Sequence, residues 1–228
     1  MKKLINKTLV ALTAASLSFG VLAASSNIKL ESANTDINDK TSLVNGAKLF
    51  MNYCAGCHSI EFMRYNRIGQ DLGLSDEQVN DLIFDDKKPG DPITSSISEE
   101  GAKKWFGNVP PDLSLVSRSK GVDWIYTYLK GFYEEKGRIF GVNNTVLANA
   151  SMPDVLWEIK QSKSEDAYNQ DVRDITNFLD YVGEPAKLVR TSLGYKVLGF
   201  LFVLFVLSYL LKKEYWKDVK YGKWRARD

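Results

Sequence analysis

The chain has 228 residues, 25% charged and 44% hydrophobic, which suits one globular domain with appendages and excludes a low-complexity polymer. Its formal net charge of +2 is misleading: residues 24–211 hold 20 basic and 25 acidic side chains, a net of −5, and the positive charge sits at the two ends. That balance argues against nucleic acid as a partner.

Residues 1–23 read as a secretory signal peptide. Lys2, Lys3 and Lys7 give a positive start, residues 9–22 are apolar, and Val21-Leu22-Ala23 resembles a cleavage site. Thr13, Ser16, Ser18 and Gly20 interrupt the apolar stretch, which is short against the ~20 residues of a membrane span. Next, Leu43, Ala47, Phe50, Cys54 and Cys57 recur at helical spacing and predict one face of a helix. Thr41 or Ser42 is placed to cap its start, and Gly46 on an adjacent line lets another helix approach closely.

Both cysteines and the single histidine of the chain lie in Cys54-Ala55-Gly56-Cys57-His58. In an exported protein two nearby thiols ordinarily become a disulfide. C-x-x-C followed at once by His is instead the attachment signature of c-type haem. Each thiol reaches one vinyl group at the porphyrin edge while the adjacent imidazole turns under the ring to the iron. A thioredoxin-like pair needs a low-pKa cysteine at a helix start in a βαβ setting, whereas this motif ends a helical segment. A structural zinc site takes four Cys/His-type ligands, and this chain has three such residues in total.

Between Asp71 and Glu100 nine acids face only Lys87 and Lys88, which fits either a basic partner protein or a solvated face. The run Trp105-Phe106-Gly107-Asn108-Val109-Pro110-Pro111-Asp112-Leu113-Ser114 follows. Its two prolines make a stiff wall suited to a haem edge, and the carbonyl of Pro110 or Pro111 is a candidate acceptor for the outer ring N–H of His58. Arg118 and Lys120 are each candidates to neutralise a haem propionate.

Low-spin iron in an electron carrier takes a sixth ligand, and with no second histidine this is sought among four methionines. Met1 leaves with the leader, and Met51 and Met63 flank the attachment motif on the histidine side. Met152 remains, with ample chain to reach the distal face. Pro153 after it disfavours α geometry and presents the thioether from a loop. Farther on, Val172, Ile175, Leu179 and Val182 predict a helix over 171–182, stopped by Gly183-Glu184-Pro185 and placed to pack on the first.

Residues 193–211 are apolar apart from Lys196, which can snorkel to the headgroups, and no polar face interrupts 197–207. Tyr195 and Tyr209 sit at interfacial positions. After Leu211 the tail holds seven Lys/Arg against three acids, which orients it to the cytoplasm and puts the body on the other side. The expected layout is a signal peptide at 1–23, a periplasmic haem domain at 24–190, an anchor at 191–211 and a basic cytoplasmic tail at 212–228. The site would be the inner membrane of a bacterium.

The chain resembles the cytochrome c1 family, the haem subunits of quinol–cytochrome c reductase (cytochrome bc1) complexes. The matching runs are CAGCHS with the downstream MRYNRIGQDLGL, PPDLSLVSRSKG, NASMPDVLWE, DVRDITNFLDYVGEP, and the C-terminal anchor with its basic tail. The resemblance implies a mainly α fold, a cytochrome c-like helical haem domain with long loop insertions, followed by one transmembrane helix. It implies one covalent haem c, with Cys54, Cys57, His58 and Met152 at the family's haem positions. It also implies cytochrome b and Rieske iron–sulfur partners and an acceptor cytochrome c. Oxidoreductase activity would belong to the complex. Lys120 stands where the family often has a propionate-contacting arginine, and lysine lacks the bidentate fork. Nearby, Trp124 occupies a position where an aromatic residue lines the haem. The alternatives are a free-standing anchored cytochrome serving a terminal reductase or oxidase, and a thiol–disulfide enzyme using Cys54 and Cys57.

Overall fold

The computed structural model describes residues 28–222, so the expected leader at 1–23 and the end of the basic tail lie outside the described residues. Residues 28–31 are irregular and belong to an N-terminal unit, Met1–Glu31; a second compact unit runs over Ser32–Asp228. In chain order its elements are α1 (Lys40–Tyr53), β1 (Ile60–Arg64), α2 (Tyr65–Leu72), α3 (Asp76–Asn80), β2 (Pro92–Ile93), α4 (Glu99–Phe106), α5 (Val116–Lys120), α6 (Val122–Lys130), β3 (Phe132–Glu134), β4 (Val142–Asn144), α7 (Trp157–Ser162), α8 (Glu165–Gly183) and α9 (Lys187–Lys220). The fold is mainly helical, as predicted, and the strands among the described residues form two short antiparallel pairs, β1–β2 and β3–β4.

The core grows from α1 against α8. Leu43, Ala47 and Phe50 recur on one face of α1 and are fully buried. They pack against α8, with the Phe50 and Phe178 rings 5.6 Å apart, and Val172, Ile175 and Leu179 of α8 are buried in the same core. Each such aromatic or branched side chain contributes roughly 1.5–3 kcal/mol on burial. Gly46 makes the crossing close: a Cβ there would stand 2.0 Å from the Asp174 carbonyl oxygen. The expected cap at Thr41 or Ser42 is corrected to Asp39, whose carboxylate accepts from Ser42 N at 3.1 Å. Ser42 is spent on the interface instead, where its hydroxyl donates to Asp174 Oδ1 at 2.7 Å. Asn45 and Gln170 donate to the same carboxylate, at 2.6 and 2.8 Å, so this buried acid is satisfied.

α8 begins earlier than the apolar spacing alone predicts. Ser164 caps it, accepting from Ala167 N at 3.4 Å, and Glu165 and Asp166 suit the positive end of its dipole. Its other face carries α6 through buried Ile125 and Leu129, and the Tyr168 hydroxyl donates to the Leu129 carbonyl at 3.4 Å. The acid-rich 71–100 segment is pinned to the core by β1–β2, where Ile60 pairs with Ile93. Several of its acids have internal partners: Asp71 accepts from Arg67 and from the buried Tyr181, Asp85 from the Ser96 hydroxyl and Asp91 from Lys88 N.

α9 is long and apolar enough to cross a membrane. Its 34 residues rise about 51 Å, more than the ~30 Å hydrocarbon core. The helix therefore begins before the expected 191–211 anchor and continues past it. Lys187 pairs with Asp180 at 2.6 Å and Arg190 with Glu184 at 2.5 Å, tying its first turn to the end of α8. From Tyr195 to Lys217 every side chain is exposed.

Candidate haem site

α1 stops at Tyr53, and the chain then coils tightly through the cysteine motif. Cys54 N and Ala55 N both donate to the Phe50 carbonyl, and Cys57 N and His58 N both donate to the Cys54 carbonyl. Cys57 thus lies in this turn, beyond the helix face on which the spacing put it. The two thiols are not bridged; Cys54 is buried and Cys57 half-buried. Burial, with Cys57 alongside, pushes the Cys54 thiol up to about 12, and burial also raises Cys57. Two neutral thiols do not suit a thiol–disulfide enzyme, which attacks through a thiolate.

His58 is buried behind them, and its Nδ1 lies 2.8 Å from the Pro111 carbonyl oxygen. A carbonyl only accepts, so Nδ1 carries the proton and Nε2 keeps its lone pair. Burial lowers the imidazole pKa, opposed by the Pro111 bond and the Asp112 charge. Of the two candidate carbonyls, then, Pro111 meets the ring. It is held there by contacts that the motif spacing does not predict. Leu113 N donates to the Ser59 carbonyl at 2.8 Å, Glu61 N to Asp112 Oδ2 at 2.9 Å, and Phe62 N to Ser114 Oγ at 3.2 Å. The legible signal is Asp-x-Ser after two prolines, an Asx turn in which Ser114 N donates to Asp112 Oδ1.

A second group forms on α6 and the loop after β4. Met152 is half-buried, and the Tyr128 hydroxyl stands 3.6 Å from its sulfur. Tyr128 stacks on Trp124 with ring centroids 5.0 Å apart and 7° between planes, and Phe132 closes the other side edge-on at 5.2 Å. The Lys120 ammonium lies 5.6 Å over the Trp124 ring. Burial pushes the Tyr128 phenol up to about 12, so it is a protonated donor at neutral pH. The Met152 loop is organised by two buried asparagines. Asn144 donates to the Tyr128 carbonyl at 2.7 Å and accepts from Val146 N and Leu147 N; Asn143 accepts from Asn144 N and Asn149 N. Tyr128, Asn143 and Asn144 carry no motif, so sequence reasoning misses them.

The structure thus brings Cys54, Cys57, His58 and Pro111 together, and Lys120, Trp124 and Met152 together around Tyr128. Arg118, on the same short helix α5 as Lys120, is exposed, with its Cγ near Gly183. Met63 is committed to the hydrophobic core, and Met51 packs against it. The donor set fits a c-type haem: two unbridged thiols, an imidazole with one nitrogen oriented and the other spare, and a loop thioether among aromatic rings.

The family model described as the Cytochrome C1 family matches residues 32–219. The chain is 46% identical to the cytochrome c1 of Allochromatium vinosum, over 96% of this chain and 100% of that protein. It is 40% identical to a protein of Nitrosomonas europaea named ammonia monooxygenase gamma subunit, over 84% of this chain and 89% of the other. It is 27% identical to the cytochrome c1 of Rhodospirillum rubrum, over 80% and 84%. The chain belongs to the cytochrome c1 family, as a membrane-anchored c-type cytochrome with one covalent haem c and an electron-transfer subunit of a bc1-like complex.

Proposed function

We propose that this chain passes single electrons from a Rieske iron–sulfur protein to a cytochrome c, beside a cytochrome b subunit in the quinol–cytochrome c reductase of a respiratory chain. Haem c, when bound, supplies the one-electron couple. Cys54 and Cys57 would hold it through thioethers, and His58 Nε2 and Met152 Sδ would bind its iron. His/Met ligation suits a high-potential carrier. Pro111 orients the imidazole, Trp124 lines the pocket, and Lys120 or Arg118 offers positive charge to a propionate. The observation that carries this reading is the His58–Pro111 hydrogen bond beside two unbridged thiols, because it orients the one histidine and reserves its second nitrogen.

The layout that goes with it is a removed leader at 1–23 and a periplasmic haem domain at 24–190. An anchor at 191–211 and a cytoplasmic tail at 212–228 complete it, in a bacterial inner membrane. The seven Lys/Arg after Leu211 support that orientation. A second reading, an anchored cytochrome serving a different oxidoreductase, draws on the relative named as a monooxygenase subunit.

Haem staining of a denaturing gel, together with purification of the tagged full chain from membranes, tests both. The wild type should stain, and Cys54→Ser with Cys57→Ser should not. The chain should bring with it a membrane subunit carrying b-type haem and a Rieske protein. A stained chain that leaves the membrane with neither favours the second reading.

A further inference from the structure

Tyr128 has no part in the attachment motif, yet its hydroxyl stands 3.6 Å from the Met152 sulfur. Its ring is fixed from both sides, by the parallel Trp124 indole and the edge of Phe132. Its backbone is fixed too. The Asn144 amide that donates to the Tyr128 carbonyl belongs to the same side chain that accepts from Val146 N and Leu147 N, at the start of the loop leading to Met152. One asparagine thereby ties the phenol's helix to the thioether's loop. A hydroxyl held this firmly against a sulfur is a directed donor, and the thioether has two lone pairs. One can be given to a metal while the other accepts a hydrogen bond.

We propose that Tyr128 is a positioning residue for Met152, donating a hydrogen bond to the thioether sulfur and so raising the midpoint potential of the haem. The inference rests on the reading of Met152 as an iron ligand. Hydrogen bonding draws electron density from the sulfur and makes it a poorer donor. The ferric state, which depends more on ligand donation, loses more stability than the ferrous state, so reduction becomes easier. Hydrogen bonds to a ligand atom are among the means by which a protein sets such potentials.

The test is a redox titration of the full-length, haem-loaded protein, with the absorption that reports a ferric iron–thioether bond followed alongside. Tyr128→Phe keeps the ring and its packing and removes only the hydroxyl. It should retain that absorption and shift the equilibrium with a reference couple at least about threefold toward the oxidised form, about 28 mV downward at ~59 mV per decade. Tyr126→Phe, two residues away on α6, should leave the potential at its wild-type value. An unchanged or raised potential in Tyr128→Phe, loss of the iron–thioether absorption there, or an equal fall in Tyr126→Phe overturns the proposal. Met152→Leu separates this from failure of the underlying reading: if the absorption persists in that variant, Met152 is not the ligand and both fall.

Discussion

His58 and Met152, far apart in the chain, are the two iron ligands proposed above, and the structure prepares them differently. His58 is oriented by the Pro111 carbonyl, which the Asp112 and Ser114 side chains stitch to the strand behind the motif. Met152 has no such neighbour in sequence; its thioether is held by the phenol of Tyr128 and by a loop that Asn143 and Asn144 organise. Replacing Met152 with Leu keeps nearly the same volume, at a cost usually under ~1.5 kcal/mol. The variant should therefore fold and keep its haem on Cys54 and Cys57, while losing the iron–thioether absorption and dropping sharply in midpoint potential. Optical spectra and a redox titration measure both. Met63 is buried in the hydrophobic core and Met51 flanks the attachment motif on the histidine side, so Met63→Leu and Met51→Leu should leave spectrum and potential nearly unchanged. A lost band in Met63→Leu with an intact band in Met152→Leu would reverse the assignment.

At the scale of elements, the crossing of α1 over α8 holds the attachment motif in place, because the cysteine turn hangs from the last residues of α1. Gly46 is a point of close approach. Alanine is the better helix former by ~1 kcal/mol, which would favour Gly46→Ala on an isolated helix. At this crossing the added Cβ would meet the Asp174 carbonyl oxygen at 2.0 Å, its carbon at 2.6 Å and Phe178 Cβ at 2.8 Å. Backbone atoms cannot rotate aside, so the helices must separate, and overpacking of this kind costs about 1–3 kcal/mol. Separation also stretches the Ser42 and Asn45 bonds to the buried Asp174 carboxylate. The clash outweighs the propensity gain. A thermal melt of the full chain in detergent should show Gly46→Ala unfolding at a lower temperature than the wild type; an equal or higher midpoint would mean that the interface relaxes freely.

Across the whole molecule, charge is segregated along the chain. The body between residues 24 and 211 is acidic, while the tail after the apolar helix is basic. α9 joins the two as one continuous helix, and its first turn is bolted to α8 by the Lys187–Asp180 and Arg190–Glu184 pairs. If the basic tail stays in the cytoplasm, a reporter that is active only in the periplasm should be silent when fused after Asp228. The same reporter placed after Pro185 should be active. Activity of the fusion after Asp228 would invert the proposed orientation.

Local chemistry makes a good part of this protein legible in its residues alone. The cysteine–histidine motif needs only adjacent residues, the α1 and α8 faces need only helical spacing, and the apolar run of α9 needs only its length. Pro111 is within reach of such reasoning because a carbonyl after a stiff proline pair has few other uses. The remainder depends on contacts that no spacing encodes. Asp39 displaces Ser42 as the cap of α1 because Ser42 finds Asp174 more than a hundred residues away. Ser164 sets the start of α8 ahead of its first buried face. Tyr128 reads as one more core aromatic until the loop from β4 brings the Met152 sulfur to its hydroxyl. Sequence determines which residues can bond a haem and which faces seek burial, because those are properties of side chains and of helical period. Which carbonyl, phenol and carboxylate complete the site is decided only when packing brings distant segments within hydrogen-bond reach.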